Sequence, residues 1–433
     1  MDLWSRAQAV VEASNPIEAR GVVTHITGLI IEGNGPPVGL GATCSIVQGP
    51  LTVPAEVVGF TKDRILLMPL GELHGIAPGA TILSHGLGDT VTVNRGYLGR
   101  VITPLNEPLD DRPLPPGGDE VPLHRKPPSP LLRQRIHEPI DVGIKAVNSL
   151  LRVGKGQRVA IMAGSGVGKS TFLGMVAKHS RSSVNVIALV GERGREVREF
   201  IERDLGPEGL ARSVVIVATS DSSALIRIRA AFVATAIAEY FRDQGEDVTL
   251  MVDSITRLCM SQREIGLAVG EPPSTAGYTP SVFAMLPKLL ERAGTSSGRG
   301  SITGFYTVLV EGDDMNEPIA DAVRGILDGH IVLSRALAGR GQFPAIDVLQ
   351  SISRLMIDIT GAEEKQWAQK ARQVIADYAE VEDLITIGAY KPGQNPKADY
   401  AVQRIDQVIS FLKQSPDEKF SIEQCNEILS SAV

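Results

Sequence analysis

The sequence predicts an α/β fold built on a largely parallel sheet, preceded by a small β-barrel or sandwich and followed by a helical domain. Three observations carry this prediction. Between Val159 and Leu333, apolar strand-like runs alternate with helical stretches, the order of βα units that places strands side by side in parallel. From Gly21 to about residue 90 the runs are short, apolar or alternating, and broken by glycine and proline, as in small all-β units. From Glu363 onward the pattern is helical and rich in Lys, Gln and Glu. The expected divisions are an N-terminal helix at 1–20, a β unit at 21–90, an α/β domain at 91–362 and a helical domain at 363–433.

Composition agrees with this plan. The chain has 433 residues, 43% hydrophobic but only 4% aromatic, so its core must be mostly Val, Ile, Leu and Ala, as suits buried parallel strands. A net charge of −7 argues against a nucleic-acid-coating protein. Cys44, Cys259 and Cys425 are odd in number and have no metal spacing, which reads as ordinary reduced thiols of a cytoplasmic protein. No apolar run reaches the length of a membrane span, and the first residues lack the order of a signal peptide.

In chain order, Leu3, Ala7, Val10 and Val11 fall near one helical face, either a frayed terminal helix or a partner-binding one. Candidate strands follow at Val22 to Ile31, Thr43 to Val47, Glu56 to Phe60, Ile65 to Met68 and Thr81 to Leu83. Residues 104–130 hold nine of the 27 prolines, so this stretch can be neither helix nor central strand. It is expected to be an extended connector on the surface of the next domain. The α/β run then offers strands at Val159–Met162, Val184–Val190, Val214–Ala218, Val248–Val252, Ile302–Val310 and His330–Leu333, with a long helix from about Ser223 to Arg242. Ser421-Ile422-Glu423-Gln424 has the spacing of a capping box before a final helix.

The chemistry is expected at the carboxyl ends of the strands. After Val159–Met162 comes Ala163-Gly164-Ser165-Gly166-Val167-Gly168-Lys169-Ser170-Thr171, the layout of a phosphate-binding P-loop with Ala163 where the strict motif has glycine. Its glycines let backbone N–H groups converge on phosphates at a helix N-terminus. Lys169 would neutralise the phosphates and Ser170 would coordinate Mg²⁺. Glu192 and Arg193 close the next apolar strand. There Glu192 would polarise a water in line with the γ-phosphate, and Arg193 would meet phosphate oxygens; the alternative is a solvated charge run. Asp253 ends Thr249–Asp253, a Walker B pattern, and would hold Mg²⁺. Phe343, beside Pro344, could stack on a base, and Arg354, in a Ser-rich segment, could project to a boundary. From the residues alone, a structural role is favoured for both.

The P-loop, Gly191–Glu196, Gly270-Glu271-Pro272-Pro273, Gly277–Phe283, Leu289–Gly294, Glu311–Asp314, Asp328–Arg335 and Phe343–Asp347 together resemble the rotary-ATPase superfamily. More narrowly they are similar to the flagellar and type III secretion export ATPases, over essentially the whole chain. The resemblance implies an N-terminal β-barrel, a RecA-like P-loop NTPase core and a C-terminal helical domain, assembled as a homohexamer that hydrolyses ATP with Mg²⁺ to drive protein export. It implies Glu192 as general base, Arg354 as an arginine finger in a neighbour's site and Phe343 as the adenine-stacking aromatic, where the family usually has tyrosine. It implies a stator-like regulator on the N-terminal helix, a central stalk protein, chaperone–substrate complexes and an export gate at the membrane as partners. Ala276 stands where the family carries Arg or Lys. Asp383–Lys391 is more similar to the flagellar branch than to the injectisome branch. A rotary ATP synthase or ion pump catalytic subunit shares the core motifs, and a non-catalytic ring subunit would lack the carboxylate at Glu192.

Overall fold

The computed structural model describes residue 4, residues 19–86 and 89–310, Gly312 and residues 314–433. The expected N-terminal helix lies outside the described residues except for Trp4, Ala19 and Arg20, as do Glu311 and Asp313. The described chain forms two compact units. One holds the residues up to Thr90 with Ser223–Leu225 and Glu264–Pro272, and the other holds the rest.

The first unit is a closed antiparallel barrel of β1 (Arg20–Thr27), β2 (Ile30–Asn34), β3 (Thr43–Gln48), β4 (Leu51–Thr61), β5 (Arg64–Pro69) and β6 (Thr81–Gly86), in the order β1-β2-β5-β4-β3-β6. Alternate residues point inward, so Val23, Ile31, Cys44, Ile46, Ala55, Val57, Leu67 and Ile82 form one buried cluster. Closure leaves no unpaired strand edge and decides between barrel and sandwich. Val22–Ile31, expected as one run, is a hairpin that turns at Gly28–Leu29, with Thr27 opposite Ile30.

The second unit is built on a nine-stranded sheet. In chain order its region contains β7 (Thr90–Val93), β8 (Arg100–Ile102), β9 (Asp119–Pro122), β10 (Arg158–Ala163), β11 (Val184–Glu192), β12 (Ser213–Thr219), β13 (Asp247–Asp253), β14 (Gly294–Thr295), β15 (Ser301–Leu309), β16 (Gly329–Leu333) and β17 (Ile346–Ser353). The order is β17-β16-β10-β15-β13-β11-β12-β8, with β14 on β15 and with β7 and β9 forming a separate pair. The main-sheet strands from β8 to β16 pair in parallel, apart from the short β14, and β17 is antiparallel to β16. Strands β11, β13 and β15 are buried almost without interruption, because both faces of a parallel sheet are covered.

The C-terminal helices Ala362–Thr386, Pro396–Leu412 and Ile422–Ala432 share the core of this unit, where Val374, Ile405, Val408, Phe411 and Leu429 join Val147, Ile346 and Val348. The last helix starts in the expected capping box: Ser421 Oγ accepts from the Gln424 N–H, and Gln424 Oε1 accepts from the Ser421 N–H at 2.8 Å. The three cysteines are buried and free. Among the described residues, no helix is long and apolar enough to cross a membrane.

The proline-rich segment is extended, as its missing N–H donors require, and it is firmly tied. Arg100 donates from Nε and Nη2 to the two oxygens of Asp110, both at 2.7 Å, and holds that carboxyl well below the usual range. Further along, the fully buried Arg292 donates to Leu123 O and clasps the equally buried Glu239 at 3.0 and 2.7 Å. Removing one member of such a pair strands the other charge away from water. Arg292→Met is therefore expected to cost roughly 3–5 kcal/mol in a denaturant melt. A midpoint equal to that of the unchanged protein would show that the pair adds nothing to stability.

Candidate active site

Three parallel strands, β11 beside β13 and β10 one strand further on across β15, lead to the residues that matter. Strand β10 delivers its last residue, Ala163, to the loop. Strand β11 ends at Glu192 and β13 at Asp253, with Leu189 of β11 level with Asp253. The loop leaves β10 with Ala163 and Gly164 buried and Ser165 and Gly166 exposed, and Val167 returns to the core at 2% exposure. Gly166 and Gly168 have φ of 78° and 99°; a Cβ there would meet nothing within 4 Å, so the backbone conformation, not crowding, calls for glycine. Lys169, Ser170 and Thr171 then form the first turn of the helix Lys169–His179, whose N-terminal N–H groups suit an anion.

Lys169 Nζ lies 2.6 Å from Asp253 Oδ1 and 3.0 Å from Glu192 Oε1, so the structure brings these three predicted residues to one point. Their side chains are 12%, 3% and 16% exposed, little enough for the charges to act at low effective dielectric. Burial alone would pull the Lys169 ammonium down, but Asp253 and then Glu192 outweigh it and raise its pKa above the ordinary lysine value. Burial pushes the Glu192 carboxyl up, Lys169 pulls it back, and repulsion from Asp253 leaves the net direction upward. That is the direction a general base requires.

Ser170 and Asp253 are hard oxygen donors of the kind Mg²⁺ takes, and Mg²⁺ is held by one or two protein oxygens plus phosphates. The described residues contain no group of three or more His, Cys, Asp or Glu fit to cage a metal by themselves. Two oxygen donors of this kind suit a cation that arrives with a phosphate ligand.

The remaining predicted residues lie elsewhere. Arg193 is 75% exposed, with Nη1 3.6 Å from Glu196; its N–H is directed at Glu196 Oε2 at 3.4 Å, at the start of the helix Gly194–Glu199. Phe343 is half exposed and lies at the P-loop end of the sheet, since Ile346 pairs with Leu333 and Leu333 with Ala163. Its carbonyl accepts from Gln414 N at 2.9 Å. Beside the P-loop helix, Thr171, Met175, Lys178, Arg203, Asp204, Pro416 and Asp417 line a cavity of about 280 Å³. Arg354 is exposed at the opposite end of the sheet, where its N–H donates to Asp328 O and its guanidinium to Arg324 O at 3.2 Å. Because β17 runs antiparallel, Arg354 falls beyond Gly329, the start of β16. At about 3.3 Å per residue it sits roughly 16 Å of strand away from the P-loop end.

Two residues without a sequence signal join the site. Thr307, on β15, donates from Oγ1 to Asp253 Oδ1 at 2.6 Å. Arg257, four positions after Asp253, lies against Gly191, and its Nε is buried without a hydrogen-bond partner. A buried donor of this kind next to Glu192 suits an anion. The one available hint was its place on the helix that follows the Walker B strand. The loop carrying Ala276 holds a cation after all: Arg263 packs on Gly277 and lies 5.7 Å from the centre of the Tyr278 ring.

The chain matches the nucleotide-binding domain of the ATP synthase alpha/beta family over residues 143–353 and the T3SS EscN ATPase C-terminal domain over residues 360–431. It is 55% identical to a flagellum-specific ATP synthase of Bacillus subtilis over 424 residues, 97% of each chain. The chain belongs to this family of flagellar and type III secretion ATPases. Another member, a type 3 secretion system ATPase of Xanthomonas euvesicatoria, is 49% identical and is aligned over 95% of this chain and 93% of its own. The assembled ATPase EscN of the enteropathogenic E. coli type III secretion system superposes with a TM-score of 0.90 at 44% identity, covering 95% of this chain and 99% of its own. EscN has also been solved in complex with its central stalk EscO, with a TM-score of 0.88 at 43% identity.

Proposed function

We propose that this protein is the ATP-hydrolysing motor of a flagellar protein export apparatus, and that Glu192 is its general base. The observation that carries the reading is Lys169 Nζ held within 3.0 Å of both Glu192 and Asp253 at the mouth of a P-loop. On nucleotide binding Lys169 exchanges the carboxylates for phosphate oxygens, which are better charged partners at a helix N-terminus. Ser170 and Asp253 would hold Mg²⁺, which would supply positive charge to the phosphates. Water attacks the γ-phosphorus, Glu192 takes its proton, and the bond to the ADP oxygen breaks. Arg257, whose stem lies against Gly191 and whose Nε is buried without a partner, would meet the transferring phosphoryl group.

Arg193, turned outward, has a place at a subunit boundary rather than in its own chain's phosphate site. Phe343 covers the base, next to the cavity between Thr171 and Pro416. Arg354, at the far end of the sheet, serves a neighbour's site in a homohexamer. EscN's complex with a central stalk supports a stalk protein as a partner of this chain. A regulator at residues 1–20, chaperone–substrate complexes and a membrane export gate complete the expected assembly, in the cytoplasm beside the export apparatus. Deletion of the gene is expected to abolish filament subunits in the medium. Loss of injected effectors with filaments intact would instead favour the injectisome reading.

Lys169→Ala is expected to weaken nucleotide binding by about 10²-fold or more, since hydrogen bonds to charged groups are the strongest of the site. It also leaves Glu192 and Asp253 without their shared cation. A direct titration giving unchanged ATP affinity would sink the P-loop reading.

A further inference from the structure

We infer that Thr307 is a positioning residue that fixes Asp253 for the metal during the exchange of Lys169 from carboxylate to phosphate. The inference rests on the reading of Asp253 as a Mg²⁺ ligand and goes beyond it. Thr307 is fully buried on β15, one step past Tyr306, which is level with Val252 on β13. The parallel register therefore sets its hydroxyl beside the last residue of β13. That hydroxyl donates to Asp253 Oδ1 at 2.6 Å, the same oxygen that Lys169 Nζ approaches to 2.6 Å.

The shared oxygen has a consequence. Asp253 is 2% exposed, and a buried carboxylate needs donors. When Lys169 turns to the phosphates, Asp253 loses its cation but keeps the threonine, whose β-branched side chain is stiff about χ1. Oδ1 stays anchored, so the rotamer is kept and the second oxygen would be left to hold the metal. A neighbouring threonine adds to the rigidity of this junction: Thr256 Oγ1 accepts from the Leu309 N–H at 2.9 Å, tying the helix after β13 to the end of β15. Apolar residues would fill the same volume at Thr307 equally well, and Val is the isosteric choice in a strand. The hydroxyl is therefore what the site needs at this position.

The test compares binding of a non-hydrolysable β,γ-imido ATP analogue with Mg²⁺ and with EDTA. The unchanged protein is expected to prefer the Mg²⁺ complex. Thr307→Val should lower that preference by about tenfold or more, the loss typical of a hydrogen bond to a charged group, while EDTA affinity stays within about twofold. Thr307→Ser, which keeps the hydroxyl, should restore most of the preference. Should Thr307→Val fail to fold, Thr307→Cys, with a weak thiol donor of similar size, must fall between Thr307→Ser and the loss predicted for valine. A folded Thr307→Val with full Mg²⁺ preference, or a Thr307→Ser no better than valine, overturns the inference. An unchanged protein that binds the analogue equally with and without Mg²⁺ overturns the metal reading of Asp253 instead.

Discussion

Glu192→Gln is expected to keep MgATP bound and to lose turnover by about 10²- to 10⁴-fold. The amide preserves the shape of the side chain at the end of β11 and can still accept from Lys169, but it cannot take a proton from water. The same residue sets the acid limb of the pH profile. Glu192 acts when ionised, so kcat/KM must fall as pH drops through its pKa. Burial raises that pKa, and Asp253 adds to the shift. The limb should therefore lie above the range of an ordinary carboxylate, and Glu192→Gln should remove it. Binding is read by titration and turnover by phosphate release; near-normal release by this variant would take Glu192 out of the mechanism.

Arg354→Ala is expected to lose on the order of 10³-fold or more in turnover with binding intact, as arginine fingers supply charge to the transition state and little to the ground state. The argument for a role in another subunit's site is geometric. β17 turns back along β16 and carries Arg354 to the end of the sheet opposite the P-loop. Its own Lys169 and Glu192 are out of reach, while the guanidinium is steadied by the Arg324 carbonyl and exposed to a neighbour. Specific activity should accordingly rise steeply with protein concentration.

The sequence revealed most where the local pattern and the tertiary role coincide. The strands β10, β11, β13 and β15 are long apolar runs between turns, and their ends fell within a residue or two of the expected positions. Glu192 and Asp253 were legible because each ends such a run, and Lys169 because the glycine-rich loop before it follows one directly. β17 was not legible: Asp347, Gln350 and two serines interrupt its apolar residues, as an edge strand with one paired side allows. Thr307 is a single polar residue inside an apolar strand, and only the register of two parallel strands brings it to Asp253. The outward turn of Arg193 depends on a helix starting at Gly194. The hairpin inside Val22–Ile31 was hidden because its turn holds a single glycine with β-branched Thr27 before it and apolar Leu29 after it.

The measurement closest to the central claim is activity in mixtures of Arg354→Ala with Lys169→Ala, each first shown to fold and assemble. Where an Arg354→Ala subunit supplies the P-loop and a Lys169→Ala subunit supplies the arginine, the site is whole. Phosphate release plotted against mixing ratio should pass through a maximum at intermediate ratios, well above either variant alone. Release that never exceeds the weighted sum of the two separate variants would place Arg354 within its own chain's site and contradict the account.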